Sequence, residues 1–251
     1  MKVLLTVSYL GTRYVGWQWQ ENGLSVQQVL EEALEQALGV FTRVTGASRT
    51  DAGVHALCQR AMFETDSPIP PDRYPFVLNR LLPEDVRVTA GQRVAEDFHP
   101  RFKADRKIYT YRIYNAPHAS ALWGQLTAHV PVPLDAARMD AAAKALLGAH
   151  DFAAFAASGG SARTTVRTLY QADVTRSGET VTLTVCGNAF LYNMVRIIAG
   201  TLIYIGQGKL PPECIPRALD GGTRLDLGVT APARGLELTY VGYDPAWGIK
   251  P

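Results

Sequence analysis

The chain has 251 residues, 47% hydrophobic and 19% charged, with a formal net charge of +2. These values suit a soluble globular enzyme in one large or two smaller domains, and the near-neutral balance means that any basic surface for nucleic acid must be a local patch. Three distant cysteines (Cys58, Cys186, Cys214) without a C-x-x-C argue against a disulfide framework and against zinc, and no H-E-x-x-H, Rossmann or P-loop string occurs.

Lys2 to Tyr9 reads as a first strand. The stretch MKVLLTVSYLGTRY has a short apolar run but alternates into polar residues and lacks a small-residue cleavage site, so it does not read as a signal peptide. Gly11 breaks it. Ser25, with Gln28 three residues on, forms a capping box. Val26, Val29, Leu30, Ala33, Leu34, Ala37 and Leu38 then keep helical spacing up to Gly39, the clearest helix in the chain. Val54 to Phe63 reads as a strand, the proline-rich 68–75 leads to a short helix ending near Leu82, and Val86 to Val94 is another strand. Further on, Lys107 to Tyr114 alternates as a strand, and Asp135 caps a helix running to Leu147 and stopped by Gly148. Thr165 to Thr175 and Thr180 to Cys186 are strands joined by Ser177-Gly178, a hairpin signal. A long helix starts near Ala189, and Gly235 to Tyr243 closes as a final strand. Two halves of strand, helix and paired strands predict an α+β fold, mostly antiparallel, with domains at 1–102 and 103–251.

Three stretches carry chemistry. Gly46-Ala47-Ser48-Arg49-Thr50-Asp51-Ala52-Gly53-Val54-His55 packs a cation, a carboxylate, two hydroxyls and an imidazole between small residues that let another molecule approach the backbone. Arg49 lies two residues from Asp51 and favours its ionised form, as a nucleophile, base or electrostatic catalyst needs. His55, just past a turn, reads first as a structural hydrogen-bonder and second as a general base. The run from Phe190 to Ile205 is apolar almost all round, too short and interrupted to span a membrane, and so a buried helix. Arg196 inside it either snorkels to the surface or needs an anion, for which Asp51 is the candidate. Arg101, Lys103, Arg106, Lys107 and Arg112 interleave with Phe102, Tyr109, Tyr111 and Tyr114, and positions 107, 109 and 111 share a strand face. Pattern alone favours a half-buried strand with a solvated cationic edge; cations for phosphate and rings for bases are the RNA-binding alternative. Only six of the 25 cations are Lys. Arg suits phosphate contact, although GC-rich codon usage gives the same bias.

SRTDAGVH at 48–55 closely resembles the GRTDAGVH signature of the TruA family of tRNA pseudouridine synthases, with Ser48 where the family usually has Gly. NAFLYNMVR at 188–196 resembles the family's NAFLxxMVR, and RKIYTYRIYN at 106–115 is similar to its K-x-Y-x-Y element. Asp97 to Arg101 resembles DFHAR, Ser25-Val26-Gln27 resembles SVQ, Gly148 to Phe152 resembles GxHDF, and Ala231 to Leu236 resembles APAxGL. The family's Tyr-Asp-Gly reads Tyr9-Leu10-Gly11 here.

The resemblance implies two similar α/β halves with mostly antiparallel sheets joined around a central cleft, paired as a homodimer. It implies tRNA as substrate, with uridines of the anticodon arm converted to pseudouridine. Asp51 would be catalytic, Arg49 would fill the vacated stack or grip the backbone, Tyr109 would stack on the uracil, Arg196 would contact Asp51, and Leu236 would line the site. The reaction breaks N1–C1′, turns the base and rejoins it through C5, so neither cofactor nor metal is expected, and the uridine must be flipped out at a cost of about a few kcal/mol. One carboxylate in the motif, where a glycosidase uses two, favours cleavage with the base retained over hydrolysis. The composition fits the cytoplasm, with no membrane partner. A non-catalytic RNA-binding module with the same surface is the alternative, and an Asp-nucleophile phosphatase, lacking a second carboxylate, ranks last.

Overall fold

Five successive buried residues, Val3 to Val7, put β1 (Lys2–Tyr9) inside a sheet, with both faces covered. The computed structural model describes residues 1–250. In chain order β1 is followed by α1 (Val26–Leu38), β2 (Thr45–Gly46), β3 (His55–Glu64), α2 (Tyr74–Leu78), β4 (Val86–Val94), β5 (Ala104–Tyr114) and β6 (Ala128–His129). Then come α3 (Ala136–Ala143), β7 (Gly148–Asp151), β8 (Val166–Ser177), β9 (Thr180–Gly187), α4 (Met194–Gly206), α5 (Cys214–Leu219) and β10 (Leu236–Tyr243). The chain forms two units: residues 1–107 with the described residues from Glu237 on, and Ile108–Leu236. Among the described residues, no helix is long and apolar enough to cross a membrane.

In the first unit the strand order is β4-β1-β3-β10. β1 pairs antiparallel with β3 and β4, β2 pairs antiparallel with β3, and β10 pairs parallel with β3. Ser25 Oγ caps α1 by accepting from Gln28 N, and Gly39 ends it at φ 73°. The expected capping box is half made, because the Gln28 amide donates to Glu32 instead of returning to the cap. α2 ends at Leu78, four residues before the expected Leu82. There the Asn79 side chain leaves the helix pattern to bond Val88 O and Val88 N, both at 2.8 Å.

In the second unit the order is β5-β9-β8-β7, with β6 parallel to β5 and the β8–β9 hairpin closing at Ser177 opposite Thr180. Asp135 caps α3 through Arg138 N, but the helix tightens to a 3-10 turn at Lys144. Lys144 Nζ bonds Asp140, Asp173 and Ala172 O, tying α3 to β8. The long apolar helix starts at Met194, not near Ala189. Asn193 sits in the left-handed region at φ 59°, so residues 190–193 form a separate bend before α4.

Candidate active site

The 46–55 loop is held from three sides within the first unit. Ahead of it, Gly16 bridges Asp51 and Trp17 N donates to Thr50 O at 3.0 Å. The same two residues accept from the start of α1, Val26 N to Gly16 O and Gln27 N to Trp17 O, so the helix end holds the strap that holds the loop. The Gln27 side chain continues the tie: its Oε1 accepts from Trp19 N, and its Nε2 donates to Glu31 Oε1 and to Val44 O. Glu31 in turn accepts from Val44 N at 3.0 Å, just before the loop. From β3, buried Gln59 takes both backbone groups of Ser48. From below, Lys107 Nζ donates to Ala47 O at 2.9 Å and lies 3.5 Å from Ser48 Oγ.

Burial alternates along the loop. Ser48 and Thr50 point inward, Thr50 sharing a hydrogen with Tyr9 Oη at 2.7 Å, whereas Arg49 is exposed and Asp51 half-buried. Asp51 O accepts from Val54 N at 3.1 Å across a turn whose third residue, Gly53, has φ 76°, the type II geometry that favours glycine. Asp51 thus presents an accessible carboxylate on a backbone fixed at both ends, next to an accessible guanidinium. Ser48 needs no left-handed backbone, since Asn193 is the non-glycine residue at positive φ among the described residues. His55 is buried, and its Nδ1 accepts from Gly11 N at 2.9 Å, which makes it a structural acceptor for the turn after β1. The turn with Leu10 is tied through Asp85, whose backbone oxygen accepts from Leu10 N and whose carboxylate takes Arg13 and Tyr14.

At Gly16 the strap runs close against the loop backbone. A Cβ there would lie 2.5 Å from Thr50 O, at φ 111°. Gly16→Ala is expected to cost about 2 kcal/mol, read from urea unfolding, from strain and backbone displacement together.

The second unit carries Tyr109, Arg196 and Leu236. Residues 227–235 run over α4. A Cβ on Gly228 would meet Gly200 O at 2.5 Å, and Thr201 Oγ1 accepts from Gly228 N. Arg196 is half-buried rather than sunk in the core. Its Nε donates to Ala231 O at 2.8 Å, its Nη1 to Asn193 Oδ1 at 2.7 Å, and its own carbonyl accepts from Ala231 N. Arg196 therefore fixes the stretch that leads into buried Leu236. Tyr111 Oη donates to Pro232 O at 2.8 Å and its ring packs on Gly235; burial pushes its phenol well above the usual range. Tyr109 meets Phe190 edge-on, with centroids 5.0 Å apart.

The shared face of 107, 109 and 111 turns inward. Lys107, Tyr109 and Tyr111 are 9%, 6% and 0% exposed, so the strand is not an open basic and aromatic platform. Alternation fixes which residues share a face, while the surrounding elements decide which face is covered. Sequence reading named Lys107 only as part of the basic cluster and Gln27 only as part of the helix entry, and it missed Glu31, Gln59 and the role of all four in holding the loop. Their signal was a polar side chain set among buried positions, visible for Gln27 and Glu31 as an i, i+4 pair beside the apolar stripe of α1.

Burial, and after it the charge of Arg101, bring the Lys107 ammonium down to about 8. Between that value and the unfolded 10.5 the folded chain binds fewer protons than the unfolded one, so stability rises with pH across this window. The rise is on the order of 3 kcal/mol, and it should vanish in Lys107→Gln when the two chains' urea midpoints are compared from pH 8 upward.

Among the described residues no group of three or more His, Cys, Asp or Glu side chains could hold a metal ion. A family model described as tRNA pseudouridine synthase matches residues 5–103 and 142–244. A tRNA pseudouridine synthase A of Ruminiclostridium cellulolyticum is 49% identical over 96% of this chain and 99% of its own length. Proteins of the same name from Acetivibrio thermocellus and Syntrophotalea carbinolica are each 47% identical, over 96% and 97% of this chain and 99% and 96% of theirs.

Proposed function

The chain belongs to the family of tRNA pseudouridine synthases, and on that premise we propose that it isomerises uridines in the anticodon arm of tRNA with Asp51 as the catalytic carboxylate. The observation that carries this reading is the half-buried Asp51 on a turn pinned by Gly16 and Val54, beside exposed Arg49. Backbone bonds of the loop come from Gly16, Trp17, Gln59 and Lys107.

In this reading Arg49 grips the RNA or fills the stack left by the flipped uridine, a flip that costs about a few kcal/mol. The family resemblance assigns Arg196 the task of holding the catalytic carboxylate charged; within its own unit the guanidinium is fixed to Ala231 O. Tyr109, backed edge-on by Phe190, packs on the uracil, and Leu236 supplies an apolar wall. The N1–C1′ bond breaks, the base turns, and a C5–C1′ bond forms. C5 gives up its proton and N1, freed from the sugar, takes one up, so the product is an isomer and no electrons are exchanged with a cofactor. We place the reaction in the cytoplasm and assign a homodimer on family grounds. Purified chain, given unmodified tRNA carrying tritium at uridine C5 and no added cofactor, should release tritium. Binding without release would return the non-catalytic RNA-binding module.

A further inference from the structure

Lys107 is a buried cation for which the proposed reaction has no use. Its ammonium is held by a carbonyl and a hydroxyl, Ala47 O at 2.9 Å and Ser48 Oγ at 3.5 Å, and neither is an anion. Burying a charge on neutral acceptors is costly, and an apolar chain of the same length would avoid that cost. Lys107 is one tie among several on this backbone: Gln59 holds both backbone groups of Ser48, and Ala47 N bonds Arg60 O at 2.8 Å. What the ammonium adds is a positive charge under the two residues that immediately precede Arg49. Ser48, standing where the family usually has Gly, supplies the second acceptor.

We propose that Lys107 is a positioning residue of the catalytic loop: its charge, bound to the Ala47 carbonyl and the Ser48 hydroxyl, holds the Arg49–Asp51 segment in its reacting pose, so that turnover depends on it and tRNA affinity does not. The inference rests on reading Asp51 as the catalytic carboxylate. Lys107→Met and Lys107→Gln separate it from a structural role. In Lys107→Met, kcat should fall by about tenfold to a hundredfold, the worth of a hydrogen bond to a charged group, with KM and the tRNA Kd within about twofold. Lys107→Gln keeps a donor without the charge and should recover part of that loss. An unchanged kcat in Lys107→Met overturns the proposal, as does a loss of affinity equal to the loss of turnover.

Should neither variant fold, the wild-type pH profile decides. The groups facing the ammonium are the Ala47 carbonyl and Ser48 hydroxyl from the loop, and Arg101 acts on it through its charge. The kcat should decline above about pH 8 with KM level; a kcat level through roughly pH 9.5 sinks the idea, since the amine has lost its proton by then. A wild-type chain that releases no tritium overturns the functional reading itself, and this inference with it.

Discussion

Asp51→Asn is expected to release tritium at least about a thousand times more slowly than the wild type, the scale of loss when a reacting carboxylate is removed. The amide has the shape of the carboxylate and one of its oxygens, but no charge. The backbone of residue 51 is bridged to Gly16 and closed onto Val54, so the loop should keep its conformation. Affinity for tRNA should therefore stay within about twofold. Equilibrium binding and single-turnover tritium release, run on the same preparation, make the check. Wild-type turnover in Asp51→Asn would remove this residue from the chemistry and with it the role proposed for Arg196.

Gly200→Ala is expected to be the most damaging of the small substitutions. Gly200 lies in α4 where residues 227–231 cross it, and a Cβ would lie 1.7 Å from Val229 O. The atom in the way is backbone, which cannot rotate aside. Either the helix or the crossing segment must move, and the segment is bonded at Gly228 to Thr201 and at Ala231 to Arg196. The cost should be about 3 kcal/mol, the upper range for overpacking, which lowers Tm by roughly 10 °C in a chain of this size. Because Arg196 loses its fixed partner, turnover should fall further than stability explains. A melting curve and a tritium-release rate measured below both Tm values test the two parts separately. A Tm within about 2 °C of the wild type would mean that the crossing is looser than its geometry.

Helix α1 was legible because every local signal agrees there: an apolar stripe, Ser25 at its start and Gly39 at its end. β1 and β4 ran as read, for they are continuous or alternating segments ended by turns. α4 misled at its start. Residues 190–193 are as apolar as the helix that follows, and hydrophobicity does not register that Asn193 turns left-handed. β7 and α5, four and six residues long, offer too few periods to stand out.

The loop around Asp51 shows the same division. Its residue types can be read directly, so the fold class, the family and the residue types of the candidate site were already legible in the amino-acid order. It took the folded chain to show that Lys107 and Tyr111 face inward, that His55 Nδ1 accepts from Gly11 N, and that Arg196 grips Ala231. Those choices rest on partners dozens of residues away. A local pattern records what a segment prefers, and burial and hydrogen bonding are settled by whatever the rest of the chain brings against it.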